Sequence, residues 1–144
     1  MLKFKIKLLR EDAILPSQSH TGDAGWDVAT PDDITIQPGE TKIVPLGFAA
    51  EFESGYECQV RSRSGNAAKL SVSVLNGPGT IDSSYRGEYG AILHNHSKGE
   101  VFFAKGTKIA QLVFQKYETI EPEIVQELSN TSRGAGGYGS TDQK

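Results

Sequence analysis

Gly79-Thr80-Ile81-Asp82-Ser83-Ser84-Tyr85-Arg86-Gly87-Glu88 lies between two stretches with strand-like alternation. Leu70 to Leu75 alternates with serines and valines before Asn76-Gly77-Pro78, and Tyr89 to Leu93 reads as the following strand. The stretch is therefore expected at the bend of a hairpin, where a carboxylate, an aromatic ring and a guanidinium are crowded together. A polar turn of this kind is ordinary taken alone. Its weight comes from four further short, glycine-marked polar clusters along the same chain.

Working outward, short apolar runs recur roughly every ten residues with turns between them, the pattern of an antiparallel sandwich or barrel. The first runs from Leu2 to Leu8, with Leu2, Phe4, Ile6 and Leu8 on one face. Trp26 to Ala29, Ile34 to Ile36, Lys42 to Leu46, Phe48 to Phe52, Tyr56 to Val60, Glu100 to Phe103, Ile109 to Tyr117 and Ile120 to Leu128 follow. Ser64 to Lys69 is expected to form one helical turn and nothing longer. With no amphipathic helix of normal length, a βαβ nucleotide fold is excluded.

The chain has 144 residues, enough for one core, so residues 1–128 are expected to form a single β domain. Residues 129–144 are glycine- and serine-rich with Tyr138 as the one large apolar side chain, the composition of a tail that orders on a ligand. Met1 to Leu8 alternates apolar and basic residues and is a strand, not a secretory segment; no targeting signal is found, which favours the cytoplasm. Cys58 is the single cysteine, reads as a buried hydrophobe, and with three scattered histidines gives no zinc spacing. A net charge of −3 argues against a duplex nucleic-acid binder, and no stretch is long enough to span a membrane.

The clusters themselves suit a small anionic ligand. Asp23-Ala24-Gly25-Trp26-Asp27 offers two carboxylates, and Mg2+ needs one or two besides substrate phosphates, so Asp27 would hold the ion through water. Arg61-Ser62-Arg63-Ser64-Gly65 combines guanidinium groups with hydroxyls and backbone amides that can converge on phosphate. Asn76 carries both a donor and an acceptor for a base edge, with the hairpin backbone completing the reading and Gly90 leaving room. Asp82 can orient and deprotonate a water for attack on phosphorus, while Tyr85 presents a flat face to a sugar. Gln111, in Lys105-Gly106-Thr107-Lys108-Ile109-Ala110-Gln111-Leu112, can bind phosphate oxygens. In the tail, Arg133 can neutralise a terminal phosphate and Tyr138 can stack on a base.

With the five clusters in order from Asp23 to Thr141, the chain resembles the trimeric deoxyuridine 5'-triphosphate nucleotidohydrolase (dUTPase) family. Asp82 lies nineteen residues after Arg63 and six after Asn76, as in that family. The resemblance implies a distorted jelly-roll-like β-barrel, assembled as a homotrimer with three sites at subunit interfaces. It implies hydrolysis of dUTP to dUMP and pyrophosphate with Mg2+, which limits uracil in DNA and supplies the thymidylate precursor. Asp82 would be the general base; Asn76 with the backbone of Gly79, Thr80, Ile81 and Gly90 would read uracil; Tyr85 would pack on deoxyribose. Arg63, Ser64, Gly65 and Gln111 would hold phosphates, and a tail carrying Arg133, Tyr138 and Gly139 would close over the nucleotide. The fifteen residues from Asn130 to Lys144 can extend over roughly 50 Å, enough to reach a neighbouring subunit.

Some positions depart from that pattern: Ser62 replaces a frequent proline, Ser84 a second aspartate, and Tyr138 a phenylalanine. Thr107 and Lys108 replace an acidic–basic pair, and Trp26 fills a slot for a smaller residue. Two alternatives remain open at this point. A dCTP deaminase shares the barrel but needs a glutamate where Ile92 stands, and a non-catalytic nucleotide-binding or regulatory module would have no use for Asp82 and the tail. A regulatory protein partner is compatible with either an active or an inactive chain.

Overall fold

The computed structural model describes residues 1–137, and the expectations resting on Tyr138, Gly139 and Thr141 lie outside the described residues. Ten strands and one short helix follow one another: β1 (Lys5–Leu8), β2 (Trp26–Ala29), β3 (Ile34–Ile36), β4 (Thr41–Glu51), β5 (Tyr56–Arg61), α1 (Ser64–Leu70), β6 (Val72–Val74), β7 (Gly79–Asp82), β8 (Glu88–Asn95), β9 (Val101–Phe103) and β10 (Lys108–Lys116). All described pairings are antiparallel. They build one four-stranded sheet ordered β1-β4-β8-β6, a second ordered β2-β10-β5-β7, and a two-stranded pair β3-β9.

The alternation visible in the sequence is what one buried face per sheet produces. Tyr89, Ala91, Leu93 and Asn95 of β8 point inward, as do Cys58 and Val60 of β5 and Ile109, Ala110 and Leu112 of β10. With Val44, Leu46 and Phe48 from β4 and Phe103 from β9, they form one continuous core. Cys58 is fully buried, as expected, and burial pushes its thiol up to about 12, which keeps it an unreactive hydrophobe near neutral pH. Phe4 and Phe114 close the open end of the core with ring centroids 4.9 Å apart.

Four expectations change in detail. The first strand begins at Lys5 rather than Leu2, although Leu2, Phe4 and Ile6 still pack on the core while Leu8 is exposed. The two runs around Gly47 are one strand, β4, whose pairing with β8 shifts register between Pro45 and Ala49. The Ser64 region forms a seven-residue helix, about two turns, with no buried residue and a left-handed Ser71 ending it. Ile120 to Leu128 forms no strand among the described residues: β10 ends at Lys116, and Ile120, Ile124 and Leu128 are exposed.

The largest correction concerns the opening stretch. Its first four residues are not a bend but strand β7, which leaves the sheet of β6 and β8 and pairs with β5 in the opposite sheet. Val60 faces Gly79 and Glu57 faces Asp82 in this pairing. The true turn is Ser83 to Gly87, closed by the Tyr85 amide donating to the Asp82 carbonyl at 3.0 Å. Asp82 therefore ends an edge strand of one sheet while Glu88 begins a central strand of the other, and the turn between them bridges both layers.

Candidate functional site

The candidate residues gather into two clefts. The first is a cavity of about 320 Å3 lined by Ser19, Asp23, Ala24, Gly25, Asp27, Arg63, Ser64, Gly65 and Gln111. Strand pairing explains this grouping. On β10, Gln111 stands opposite Asp27 of β2 on one side and Arg61 of β5 on the other, so one row of the sheet carries all three side chains on one face. Arg63 follows β5 directly and turns back over that row. Its Nε donates to Asp27 Oδ1 at 2.8 Å, and Lys108 Nζ lies 2.8 Å from Asp27 Oδ2.

Asp27 is thus committed to a guanidinium, an ammonium and the Ser19 hydroxyl, which donates at 3.0 Å. Burial raises its carboxyl, but the Lys108 and Ser19 hydrogen bonds and the Arg63 charge outweigh that and hold it below the usual carboxylate range. The Gln111 amide donates to the Ser62 carbonyl at 2.9 Å, and the Ser62 hydroxyl accepts the Val74 amide at 2.8 Å. Gly25 leaves the space the Gln111 amide occupies, so a Cβ there would overlap that amide and displace it. At the start of α1 no side chain caps the helix, so the first-turn N–H groups beside Ser64 and Gly65 have no side-chain acceptor.

The second cleft, about 200 Å3, is lined by Thr80, Ile81, Asp82, Tyr85, Glu88, Tyr89 and Gly90. Tyr85 is held in place from two sides: its hydroxyl donates to the Glu88 carbonyl at 3.1 Å, and its ring lies over Gly87, where a Cβ would collide with it. The Glu88 carboxylate accepts the Gly47 amide at 2.9 Å, which ties the turn to the register shift in β4. Asp82 differs from Asp27 in one respect that matters for chemistry. Its carboxylate is exposed and takes part in no described hydrogen bond or ion pair. Asn76 packs its amide against Gly79, 3.0 Å from where a Cβ would sit, at the rim of this cleft rather than in its lining.

The structure brings most of the expected residues into the lining of these two clefts and leaves Asn76, Gly79 and Arg133 in neither lining. Arg133 is exposed and its guanidinium donates to the Gly136 carbonyl at 2.9 Å. Lys108, Ser19 and Glu88 are site residues that sequence reasoning assigned no role. Lys108 reaches Asp27 through a register shift between Lys108 and Ala110, and Ser19 through the isolated pairing of Ser17 with Asp27. Neither contact is encoded in local spacing.

The two clefts are well separated within one chain. Asp27 lies on β2 and Asp82 on β7, the opposite edges of the same sheet. Their rows on β5, Arg61 and Glu57, are four residues apart. Three strand spacings across and four residues along put the two backbones roughly 20 Å apart. Between them runs a ladder in which Arg61 donates to Gln59 and Gln59 to Glu57.

A family model described as dUTPase matches residues 11–142 of this chain. A deoxyuridine 5'-triphosphate nucleotidohydrolase of Clostridioides difficile is 48% identical over 141 residues, covering 98% of this chain and 99% of that protein. One from Trichodesmium erythraeum is 49% identical over 140 residues, covering 97% and 99%. Among solved structures, a mutant dUTPase of Staphylococcus bacteriophage 80alpha with dUpNHpp superposes with a TM-score of 0.90 at 26% identity, covering 96% of this chain and 98% of that one. A dUTPase mutant from phage phi11 of S. aureus, described with a coordinated structural Mg(II) ion, gives a TM-score of 0.81 at 25% identity, covering 89% and 99%.

Proposed function

This chain belongs to the dUTPase family, and on that premise we propose that its site forms between copies of the chain, the phosphate cleft of one meeting the Asp82 cleft of another. The activity is that of a dUTP diphosphatase, converting dUTP to dUMP and pyrophosphate. The observation that carries the assembled site is the separation of the clefts. A triphosphate held at Arg63 and Gln111 cannot bring its α-phosphorus to a water on Asp82 across roughly 20 Å of the same sheet. A homotrimer with three equivalent sites satisfies this with one repeated, head-to-tail contact.

In this reading the uncommitted Asp82 carboxylate takes a proton from water as it attacks the α-phosphorus, and the proton remains on Asp82 until solvent removes it. Arg63, the Ser64 and Gly65 amides and Gln111 hold the leaving pyrophosphate. Asn76, the β7 backbone at Gly79 to Ile81 and Gly90 read uracil. The Tyr85 face packs on deoxyribose and leaves no room for a 2'-hydroxyl. The domain formed by residues 1–128 supplies both clefts, and the tail from residue 129 carries Arg133, Tyr138 and Gly139 onto the nucleotide of a neighbour. The cytoplasm is the compartment in which this substrate is used, and no described helix is long and apolar enough to cross a membrane.

The polar cleft fits Mg2+ only indirectly. Among the described residues no three acidic, histidine or cysteine side chains converge on one point, and both Asp27 oxygens are engaged by Arg63, Lys108 and Ser19. Asp27, with Asp23 beside it, would therefore reach a phosphate-bound ion through water. When bound, Mg2+ supplies charge neutralisation on the triphosphate oxygens.

Substrate choice tests this reading. Pyrophosphate release from dUTP is expected to exceed that from UTP or dCTP by at least a hundredfold in kcat/KM, with no ammonia formed from dCTP. Ammonia release would return the chain to the deaminase alternative, in spite of Ile92. A second test addresses the phosphate cleft. Gly25→Val drives a side chain into the Gln111 amide, and kcat/KM for dUTP is expected to fall ten- to a hundredfold; unchanged kinetics would remove Gln111 from phosphate binding.

A further inference from the structure

Tyr89 lines the Asp82 cleft, yet neither the hydrolysis nor the reading of the base uses it. It is the first inward-pointing residue of β8 and is 1% exposed. Its ring centroid stands 5.3 Å from that of Phe48 on β4 and 6.0 Å from that of Phe4, which is itself packed on Phe52 and Phe114. On the cleft side the Tyr85 ring lies 6.3 Å away, tilted by 38°. From this arrangement we propose that Tyr89 is a positioning residue, which fixes the plane of Tyr85 against the sugar and so sets the preference for deoxyribose over ribose. This role rests on Tyr85 being the surface that packs on deoxyribose.

Three features support it. Tyr85 belongs to the exposed turn from Ser83 to Gly87, and its hydroxyl donates to the Glu88 carbonyl at 3.1 Å. That bond ties down the tip of the ring but not its plane, since a ring held at one atom still rocks about that atom. Among the described residues, Tyr89 is the one aromatic ring packed against it. Tyr89 in turn is wedged between Phe48 and Phe4 in a close-packed core, so it presents a fixed surface to the cleft wall. Finally, the Tyr89 hydroxyl is buried and finds no hydrogen-bond partner among the described residues. A hydroxyl left in that state is destabilising, so what this residue offers Tyr85 is its ring and not a polar contact.

The steric logic is short-ranged. A 2'-hydroxyl is excluded only while the ring stays within about 0.5 Å of its place. A leucine at position 89 would leave space behind Tyr85, into which the ring can withdraw and make room for the hydroxyl.

Steady-state kcat/KM for dUTP and for UTP would be measured on the full chain. Tyr89→Leu is expected to lower the dUTP-to-UTP ratio about tenfold or more, with the change falling on UTP more than on dUTP. Tyr89→Phe keeps the ring, and should retain the ratio within about twofold and melt at the same or a higher temperature. Tyr89→Met fills more of the space, and it carries the same test with a smaller expected loss should the leucine variant not fold. Nuclear Overhauser contacts between the Tyr85 and Tyr89 rings, in the unaltered chain free and with a non-hydrolysable dUTP analogue, test the packing without any variant. Tyr85→Leu separates the two assignments. If it keeps the ratio, Tyr85 does not read the sugar and both assignments fall; if it loses the ratio while Tyr89→Leu keeps it, only the role of Tyr89 is overturned. An equal fall on both substrates in Tyr89→Leu, an equal loss of the ratio in Tyr89→Phe, or absence of ring contacts in the bound chain would each overturn the proposal.

Discussion

Asp82→Asn is expected to lower kcat for dUTP hydrolysis by 10²–10⁴-fold, the range for loss of a positioned general base, while leaving affinity for a non-hydrolysable dUTP analogue within a few-fold. The contrast with Asp27 makes this specific. Asp27 is neutralised by Arg63 and Lys108 and cannot act as a base without breaking those contacts. The exposed Asp82 carboxylate has no described partner to lose, so the asparagine variant should fold with stability within about 0.5 kcal/mol of the parent. Single-turnover kinetics and analogue titration separate the two quantities. A variant that turns over normally would refute the base assignment, and one that no longer binds the analogue would make Asp82 a binding residue instead.

Ending the chain after Ser132 is expected to leave the fold unaltered and to reduce kcat/KM by 10²–10³-fold, the loss typical when charge-stabilising donors are removed from a reacting group. Among the described residues, those after Lys116 add no strand and no core side chain. Among the described residues, the Arg133 guanidinium donates to the Gly136 carbonyl within its own turn. Nothing described in the barrel depends on it, so its loss should act on phosphate binding and not on the fold. Ordering such a segment costs conformational entropy, so its closure should require nucleotide. Near-normal kcat/KM in the truncated chain would exclude the tail from the site, and a large fall in melting temperature would assign it a structural role.

The fold was legible in the sequence where burial is one-sided. β5 and β8 alternate because their inner faces form the core, and their outer faces carry Gln59 and His94, whereas β10 buries Ile109 with Ala110 and Leu112 with Val113 around its irregular register against β2. It was least legible where the partner strand is distant. Gly79 to Asp82 looks like a polar bend because only Gly79 of its four residues is fully buried, and its pairing with β5 is fixed by a crossover between sheets. Ile120 to Leu128 has the apolar content of a strand, but it pairs with no strand among the described residues and its apolar side chains stay exposed. The same limit applies to the site. Arg63, Gln111, Asp82 and Tyr85 could be chosen by their chemistry, whereas Lys108 becomes a partner of Asp27 only through the irregular register of β10 against β2. Sequence order also could not show that the chosen residues divide into two clefts at opposite sheet edges.

That division makes complementation between inactive chains the most direct measurement. Asp82→Asn retains an intact phosphate cleft, and Arg63→Gln retains an intact Asp82 cleft. Each protein alone is expected to be nearly inactive on dUTP. When the two are unfolded together in equal amounts and refolded, random assembly of a head-to-tail trimer pairs the two intact clefts in roughly one site of four. Pyrophosphate release near a quarter of the unmodified rate is the predicted result. A mixture no more active than its inactive components would contradict the account and return both clefts to a single chain.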